Sequence, residues 1–299
     1  MPFNHAGEFA ALFTALCWTI TVISFESAGK RVGSLVVNLL RLLIGLVFLC
    51  MTTWIMRGQP FPFDASLENW VWLSLSGLAG FVIGDLSLFR AFVVIGGRVS
   101  MLMYATVPVF TALFGWIFLN ETLSLFNWIG MSLTISGIGL VISERQKDDN
   151  GLSIVRKNPR GLLLALIGAA GQSLGLVLSK VGMAGYDAFA ATQIRVIAGI
   201  VGFSVLFTAI GWWPKVVASF KDKPALKRIT VGAFFGPFLG VSFSLIAVKY
   251  TQAGITATMM AMVPIFVIAP AVIIFKEKVS VRAIIGAGIA VSGVAVLFI

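Results

Sequence analysis

The chain is a succession of apolar stretches separated by short polar joints. They cover about 8–25, 35–56, 69–94, 98–119, 126–143, 161–182, 187–213, 229–248, 253–275 and 280–299. A stretch of roughly 20 apolar residues wound as a helix matches the hydrocarbon thickness of a bilayer, the longer ones with tilt. Lipid offers no partner to a backbone N–H or C=O, so such segments must be helices or strands of a closed barrel. No recurring alternation of apolar and polar residues is present, which argues against the barrel. Composition points the same way: 59% of the 299 residues are hydrophobic and 11% charged, against about 25% charged in soluble domains. An ordinary soluble enzyme and a disordered chain are excluded. The expected fold class is all-α integral membrane with ten transmembrane helices.

The net charge of +10 raises the question of a nucleic-acid partner. The bases are scattered through short joints and form no stripe, so no nucleic acid is expected; their role is topological. Cys17 and Cys50 both lie inside apolar runs and imply no disulfide framework. His5 is the single histidine, so a His-rich metal site is excluded and neither metal nor cofactor is expected. Met1–Gly7 carries no Lys or Arg, unlike the basic head of a secretory signal, so the first run reads as a retained helix.

The two halves repeat. Shifted by 156 residues, Pro108 meets Pro264, Phe110 meets Phe266, Glu121 meets Glu277, Ser124 meets Ser280, Gly130 meets Gly286 and Gly137 meets Gly293, without a gap. The same shift joins Gly80 to Gly236 and Gly84 to Gly240, and a shift of 154 joins Arg41 to Arg195. Shared apolar composition does not produce such a series. The expected units are a five-helix half over 1–145, a polar linker over 146–158 and a second five-helix half over 159–299. Five is odd, so the second half should enter the membrane inverted. The joints agree: Arg57 is the one base between spans 2 and 3, whereas Lys215, Lys221, Lys223, Lys227 and Arg228 lie between spans 7 and 8. An inverted repeat of this kind places a substrate site near the membrane midplane between the halves.

No phosphate-binding loop is present, since Gly29-Lys30-Arg31 lacks the upstream glycine and the hydroxyl residue. No nucleophile elbow or zinc-protease signature occurs either. The glycines at 232, 236 and 240, and Ser76, Gly80 and Gly84 opposite them, fit close helix packing. Pro108 and Pro264, well inside spans 4 and 9, should kink or hinge those helices. Ionisable residues inside apolar runs are Arg41, Arg195, Asp85 and Arg90, with Glu26 and Lys180 near run ends. Such groups face a cavity or a partner. Snorkelling or structural pairing is the plainer role of the two arginines, while Asp85 is too short to snorkel and has Val241 as its repeat mate. Glu121 and Glu277 read as helix-end contacts.

The paired series Pro108, Glu121, Gly130, Gly137 and Pro264, Glu277, Gly286, Gly293 resembles the EamA family of the drug/metabolite transporter superfamily, over essentially the whole chain. Trp18 matches the tryptophan usual in the family's first helix, and Gln172 departs from it in the second half. Within the family the chain looks like the YddG-type amino-acid exporters. The resemblance implies a non-enzymatic secondary carrier of a bacterial inner membrane. It would export amino acids, including large apolar or aromatic ones, and related metabolites by alternating access. A polytopic enzyme or lipid-handling factor, or a carrier of another metabolite or drug, is the alternative.

The family's central cavity, carried over, gives as substrate-binding candidates Trp18, Asp85, Met101, Tyr104, Gln172, Ser244 and Met260. Trp18 and Gln172 are repeat mates, as are Tyr104 and Met260, and each pair should face across a pseudo-two-fold axis. Aromatic and thioether groups give adaptable apolar contact, and the polar members can hold a zwitterion. The expected partners are a small-molecule substrate and the lipid bilayer, with one chain sufficient for function. Counting joints, sixteen bases lie on one face and three on the other. The positive-inside rule then puts both termini in the periplasm, although family members commonly keep them cytoplasmic.

Overall fold

The computed structural model describes residues 5–95, 97–142, 158–273 and 280–298. All regular structure among them is helical. The first half runs α1 (Ala6–Val32), α2 (Ser34–Arg57), α3 (Leu67–Gly77), a π-helical segment (Leu78–Gly84), α4 (Asp85–Ile95), α5 (Gly97–Tyr104), α6 (Val107–Leu119) and α7 (Leu125–Ile142). The second runs α8 (Pro159–Gly182), α9 (Ala188–Ala209), α10 (Trp213–Ser219), α11 (Lys223–Ala233), a second π segment (Phe234–Gly240), α12 (Val241–Tyr250), α13 (Ala253–Met260), α14 (Val263–Ile273) and α15 (Val281–Val296). The expected linker falls outside the described residues except for Asn158, which caps α8 by accepting from the Arg160 amide at 3.0 Å.

Among the described residues, seven helices are long and apolar enough to cross a membrane: Ala6–Val32, Ser34–Arg57, Leu67–Ala91, Leu125–Ile142, Pro159–Gly182, Ala188–Ala209 and Lys223–Tyr250. Three shorter apolar helices, Val107–Leu119, Ala253–Ile268 and Val281–Val296, fall within the remaining runs. The outer surface carries large apolar side chains such as Phe9, Val47, Ile55 and Ile284, a surface suited to lipid and too extensive for water. Trp54, Trp128 and Trp213 are exposed among them.

The halves coincide in structure as they do in sequence. Shifted by 156, the bounds of α3, the first π segment and the start of α4 fall on those of α11, the second π segment and the start of α12. The breaks after Tyr104 and after Met260 also coincide. Pro108 and Pro264 therefore do not kink a continuous helix. Each sits in the first turn of a new helix, where its missing N–H is no loss. Ser124 and Ser280 do equivalent work, accepting at 3.2 Å from the amides of Asn127 and Ala283 at the starts of α7 and α15.

Helices α7 and α15 pack together antiparallel through glycines. A Cβ on Gly137 would stand 2.5 Å from the Gly286 carbonyl, and one on Gly130 would stand 2.9 Å from that of Gly293. These contacts exchange repeat mates, as a local two-fold relation requires. Across the halves, α8 lies along α3, the first π segment and α4, while α1 lies along α11, the second π segment and α12.

The described joints at the two ends of α1 lie about 40 Å apart, the length of that helix at 1.5 Å per residue. At the end of α1, Arg31 pairs with Asp222 at 2.9 Å and Arg228 donates to Ser27. At its start, Gly7 abuts Thr251 and the His5 ring meets Phe298 in a tilted contact with ring centroids 5.3 Å apart. Thr251 adjoins a network containing Lys180 and Glu121. Arg57, Asp64 and Tyr186 make a second network, joined by Lys249 through the Tyr186 carbonyl. Burial acts to raise the Asp64 carboxyl, but the Tyr186 hydroxyl and Arg57 outweigh it and hold Asp64 below the usual carboxylate range.

Candidate functional site

Asp85 is the first residue of α4, directly after the first π segment. A π turn inserts an extra residue into the helical register and is frequent at functional sites. Here it delivers a carboxylate into the protein interior. Arg41 from α2 pairs with Asp85 Oδ2, and their side chains are 15% and 10% exposed. Gln172 from α8 donates from Nε2 to Asp85 Oδ1 at 2.7 Å and to the Gly80 carbonyl at 3.0 Å. Both partners are acceptors, so they fix the amide with its NH2 toward them and Oε1 away.

The cations also meet π faces. The Arg41 guanidinium carbon lies 5.6 Å from the ring centre of Phe25 and 6.0 Å from that of Phe81. Arg195, from α9, lies 5.3 Å from the centre of the same Phe81 ring. Phe81 belongs to the first π segment, so that segment carries a ring shared by both arginines and ends against the carboxylate. Tyr104 is the last residue of α5. The arrangement suits a polar ligand held inside an apolar bundle: two cations, one anion, an amide and aromatic faces.

The other expected residues are distributed around this cluster. Trp18 packs on Gly240, its Nε1 only 2.6 Å from where a Cβ would stand. Gln172 packs on Gly84 in the same manner, at 3.2 Å. Each of these repeat mates thus covers the glycine that ends the other half's π segment. Met101 and Tyr104 are half-buried on α5. Met260 is buried at the end of α13. Ser244 is buried and its hydroxyl donates to the Val241 carbonyl of its own helix at 2.7 Å. Glu121 accepts from Lys180 Nζ at 2.6 Å and from the Ala253 amide at 2.7 Å, which joins α6, α8 and α13 at one end of the bundle. Its mate Glu277 lies outside the described residues. Two outward cavities of about 330 and 300 Å³ open beside Trp128. Neither contains a member of the cluster, and their position on the outer face suits lipid better than a transported ligand.

The candidate set drawn from sequence omits four members of the cluster: Arg41, Arg195, Phe25 and Phe81. The signal existed: Arg41 and Asp85 are ionisable groups of opposite sign inside apolar runs, and such groups find each other.

A bundle of apolar helices with a charge cluster buried inside it is the build of a polytopic membrane protein. The chain belongs to the EamA-like transporter family, whose pattern matches it twice, over residues 5–143 and 159–299. A protein of Archaeoglobus fulgidus named "Uncharacterized transporter" is 23% identical over 283 residues, covering 92% of each chain. A second, from Sinorhizobium sp and named "Uncharacterized transporter in cobO 3'region", is 31% identical over 138 residues. That match covers 94% of the relative and 45% of this chain, about one half of the fold. A solved crystal structure at 17% identity superposes with a TM-score of 0.72 over 99% of this chain and 96% of its own, a likeness of fold.

Proposed function

We propose that the protein is a secondary carrier that exports amino acids, including large apolar or aromatic ones, and related small metabolites across a bacterial inner membrane. In this reading ten helices cross the bilayer as two inverted five-helix halves, and the substrate passes between them by alternating access. The observation that carries the reading is the coincidence of interruptions. Both halves break a helix after the mates Tyr104 and Met260, and both wind a π segment at mates 78–84 and 234–240. Discontinuous helices at matched positions flank the binding sites of carriers built from inverted repeats, and the charge cluster lies beside one π segment. The antiparallel packing of α7 and α15 supports inversion. The choice of amino acids rests on the family resemblance and on the aromatic and thioether groups of Trp18, Tyr104, Met101 and Met260.

One chain contains both halves, so the transporting unit is the monomer. The base-rich joints around Arg31 and Arg228 face the cytoplasm, and both termini face the periplasm. The deciding experiment is transport in proteoliposomes with a panel of radiolabelled amino acids. Saturable flux of at least one apolar or aromatic member is expected, and its absence across the panel overturns the amino-acid reading. Orientation is read separately by His5→Cys in a background lacking Cys17 and Cys50, both of them free thiols. An impermeant thiol reagent should label it in cells with a permeabilised outer membrane. Labelling only after inner-membrane lysis would reverse the topology.

A further inference from the structure

We propose that Arg195 is the docking group for the carboxylate of the transported molecule. The inference rests on the carrier reading and names the chemistry of its substrate. Arg195 is 5% exposed, and its Nε has no hydrogen-bond partner. No ion pair among the described residues includes it; its close companion is the Phe81 ring. A guanidinium does not lose its proton in a protein. A buried one therefore requires a negative partner or stands uncompensated.

The repeat mate shows what is missing. Arg41 occupies the equivalent position in the first half and is neutralised by Asp85. The residue equivalent to Asp85 in the second half is Val241, which carries no charge. Arg41 and Asp85 cancel one another, so the cluster retains a single positive charge on Arg195. One carboxylate meets it, and a planar guanidinium fork matches a carboxylate's two oxygens. A phosphate dianion would overshoot the charge and meet Asp85 close by.

The surroundings extend the match from a carboxylate to an amino acid. Arg195 Nη2 and Gln172 Oε1 flank the same side-chain-free position, lying 3.6 and 3.7 Å from where a Cβ on Gly80 would stand. Gln172 is held with its NH2 on Asp85 and Gly80, which leaves Oε1 to accept from an ammonium group. Phe81 supplies an apolar face beside Arg195. Arg195 and Gln172 Oε1 thus border one position, close enough for a single zwitterion to meet both, its carboxylate on Arg195 and its ammonium on Gln172.

The test uses the full-length protein in detergent and reads thermal stabilisation by four probes: phenylalanine, phenylacetate, phenylalaninamide and inorganic phosphate. Phenylalanine and phenylacetate should raise the Tm saturably, and the amide and phosphate should not. Arg195→Gln should weaken phenylalanine binding about tenfold or more, the size of a charge-assisted hydrogen bond. Arg195→Lys should retain part of it. If Arg195→Gln does not yield monodisperse protein, the acid-against-amide comparison on the unaltered protein still decides. Equal stabilisation by acid and amide overturns the proposal, as does phosphate binding tighter than carboxylate, unchanged binding in Arg195→Gln, or no response to either carboxylate. Saturable flux of phenylalaninamide in proteoliposomes would break this subsite and leave the carrier reading standing. Carboxylate binding without flux of any amino acid would do the reverse.

Discussion

The surroundings of Arg41 and Arg195 are the same place in two halves of one protein, and they have diverged. Around Arg41 the charge is answered by Asp85, and Asp85 is answered by Gln172. Around Arg195 the equivalent positions hold Val241 and Trp18, and the charge is left to a phenyl ring. Everything that holds the two places has been kept: the π segments, the helix breaks, the capping serines and the glycine contacts of α7 and α15. A duplicated fold conserves what closes its backbone hydrogen bonds, because an unpaired polar group in lipid costs several kcal/mol wherever it occurs. Charges inside the bundle obey a weaker constraint. They need only balance over the whole cluster, so the two halves could divide the groups unequally. The scaffold is where the halves agree, and the ligand chemistry is where they differ.

The largest effect should come from breaking the balanced half. Asp85→Ala removes the carboxylate paired with Arg41 and leaves a buried cation uncompensated, a loss of about 3–5 kcal/mol. Thermal unfolding in detergent should show it as a large fall in Tm. The double variant Arg41→Met with Asp85→Leu should recover most of that stability, because two apolar groups replace a desolvated pair. Transport should stay lost in both. A double variant as unstable as Asp85→Ala alone would mean that the pair does not act as a unit.

The agreement between the halves can be broken next. Gly137→Ala drives a Cβ to 2.4 Å from the Ala290 amide nitrogen, and its repeat mate Gly293→Ala drives one to 2.5 Å from the Thr134 amide nitrogen. These are backbone atoms that cannot swing aside, so each substitution should cost about 1–3 kcal/mol. The two costs should be similar if the packing is two-fold. Gly288→Ala, which meets nothing within 4 Å, should be neutral or slightly stabilising. A costly Gly288→Ala, or a clear difference between the two buried glycines, would contradict the described contact.

Much of this was legible in the sequence. Apolar runs announced the helices, and the ungapped series from Pro108 to Gly137 announced its copy. From sequence, Pro108 and Pro264 suggest a kink or hinge within spans 4 and 9; in the structure each stands in the first turn of a new helix, after two residues that leave helical register. The π segments were not legible. Gly80, Gly84, Gly236 and Gly240 were visible as a packing stripe, but a shift in hydrogen-bond register leaves no residue-type signature. The Arg41–Asp85 pair was half legible. Both charges stood out in apolar runs, yet they lie 44 positions apart, and which faces of two helices meet depends on rotations that periodicity in a nearly all-apolar helix does not set. Ser244 was legible as a polar residue at depth, but not that its hydroxyl would bond within its own helix.

A smaller test concerns the caps. Ser124→Ala and Ser280→Ala each remove the acceptor for one orphan amide at a helix start, worth about 1 kcal/mol. Equal small falls in Tm are expected for these mates. A clear inequality would show that α7 and α15 are anchored differently despite their common sequence signal.

The smallest effect tests an unshared contact, the tie between α1 and α11. Asp222 accepts from the Ala225 amide at 3.0 Å and pairs with Arg31, and these interactions hold its carboxyl below the usual carboxylate range. A carboxyl lowered in the folded state contributes stability that is present above its unfolded pKa, near 3.9, and is lost as pH falls through the lower folded value. The carboxylate is open to solvent, so salt screens it and the contribution is small. Unfolding of the unaltered protein and of Asp222→Asn should therefore differ slightly at neutral pH and converge as the pH is lowered below the carboxylate range. The difference should also shrink at high salt. A gap between the two proteins that widens toward acid would reverse the sign and place the stabilising proton elsewhere.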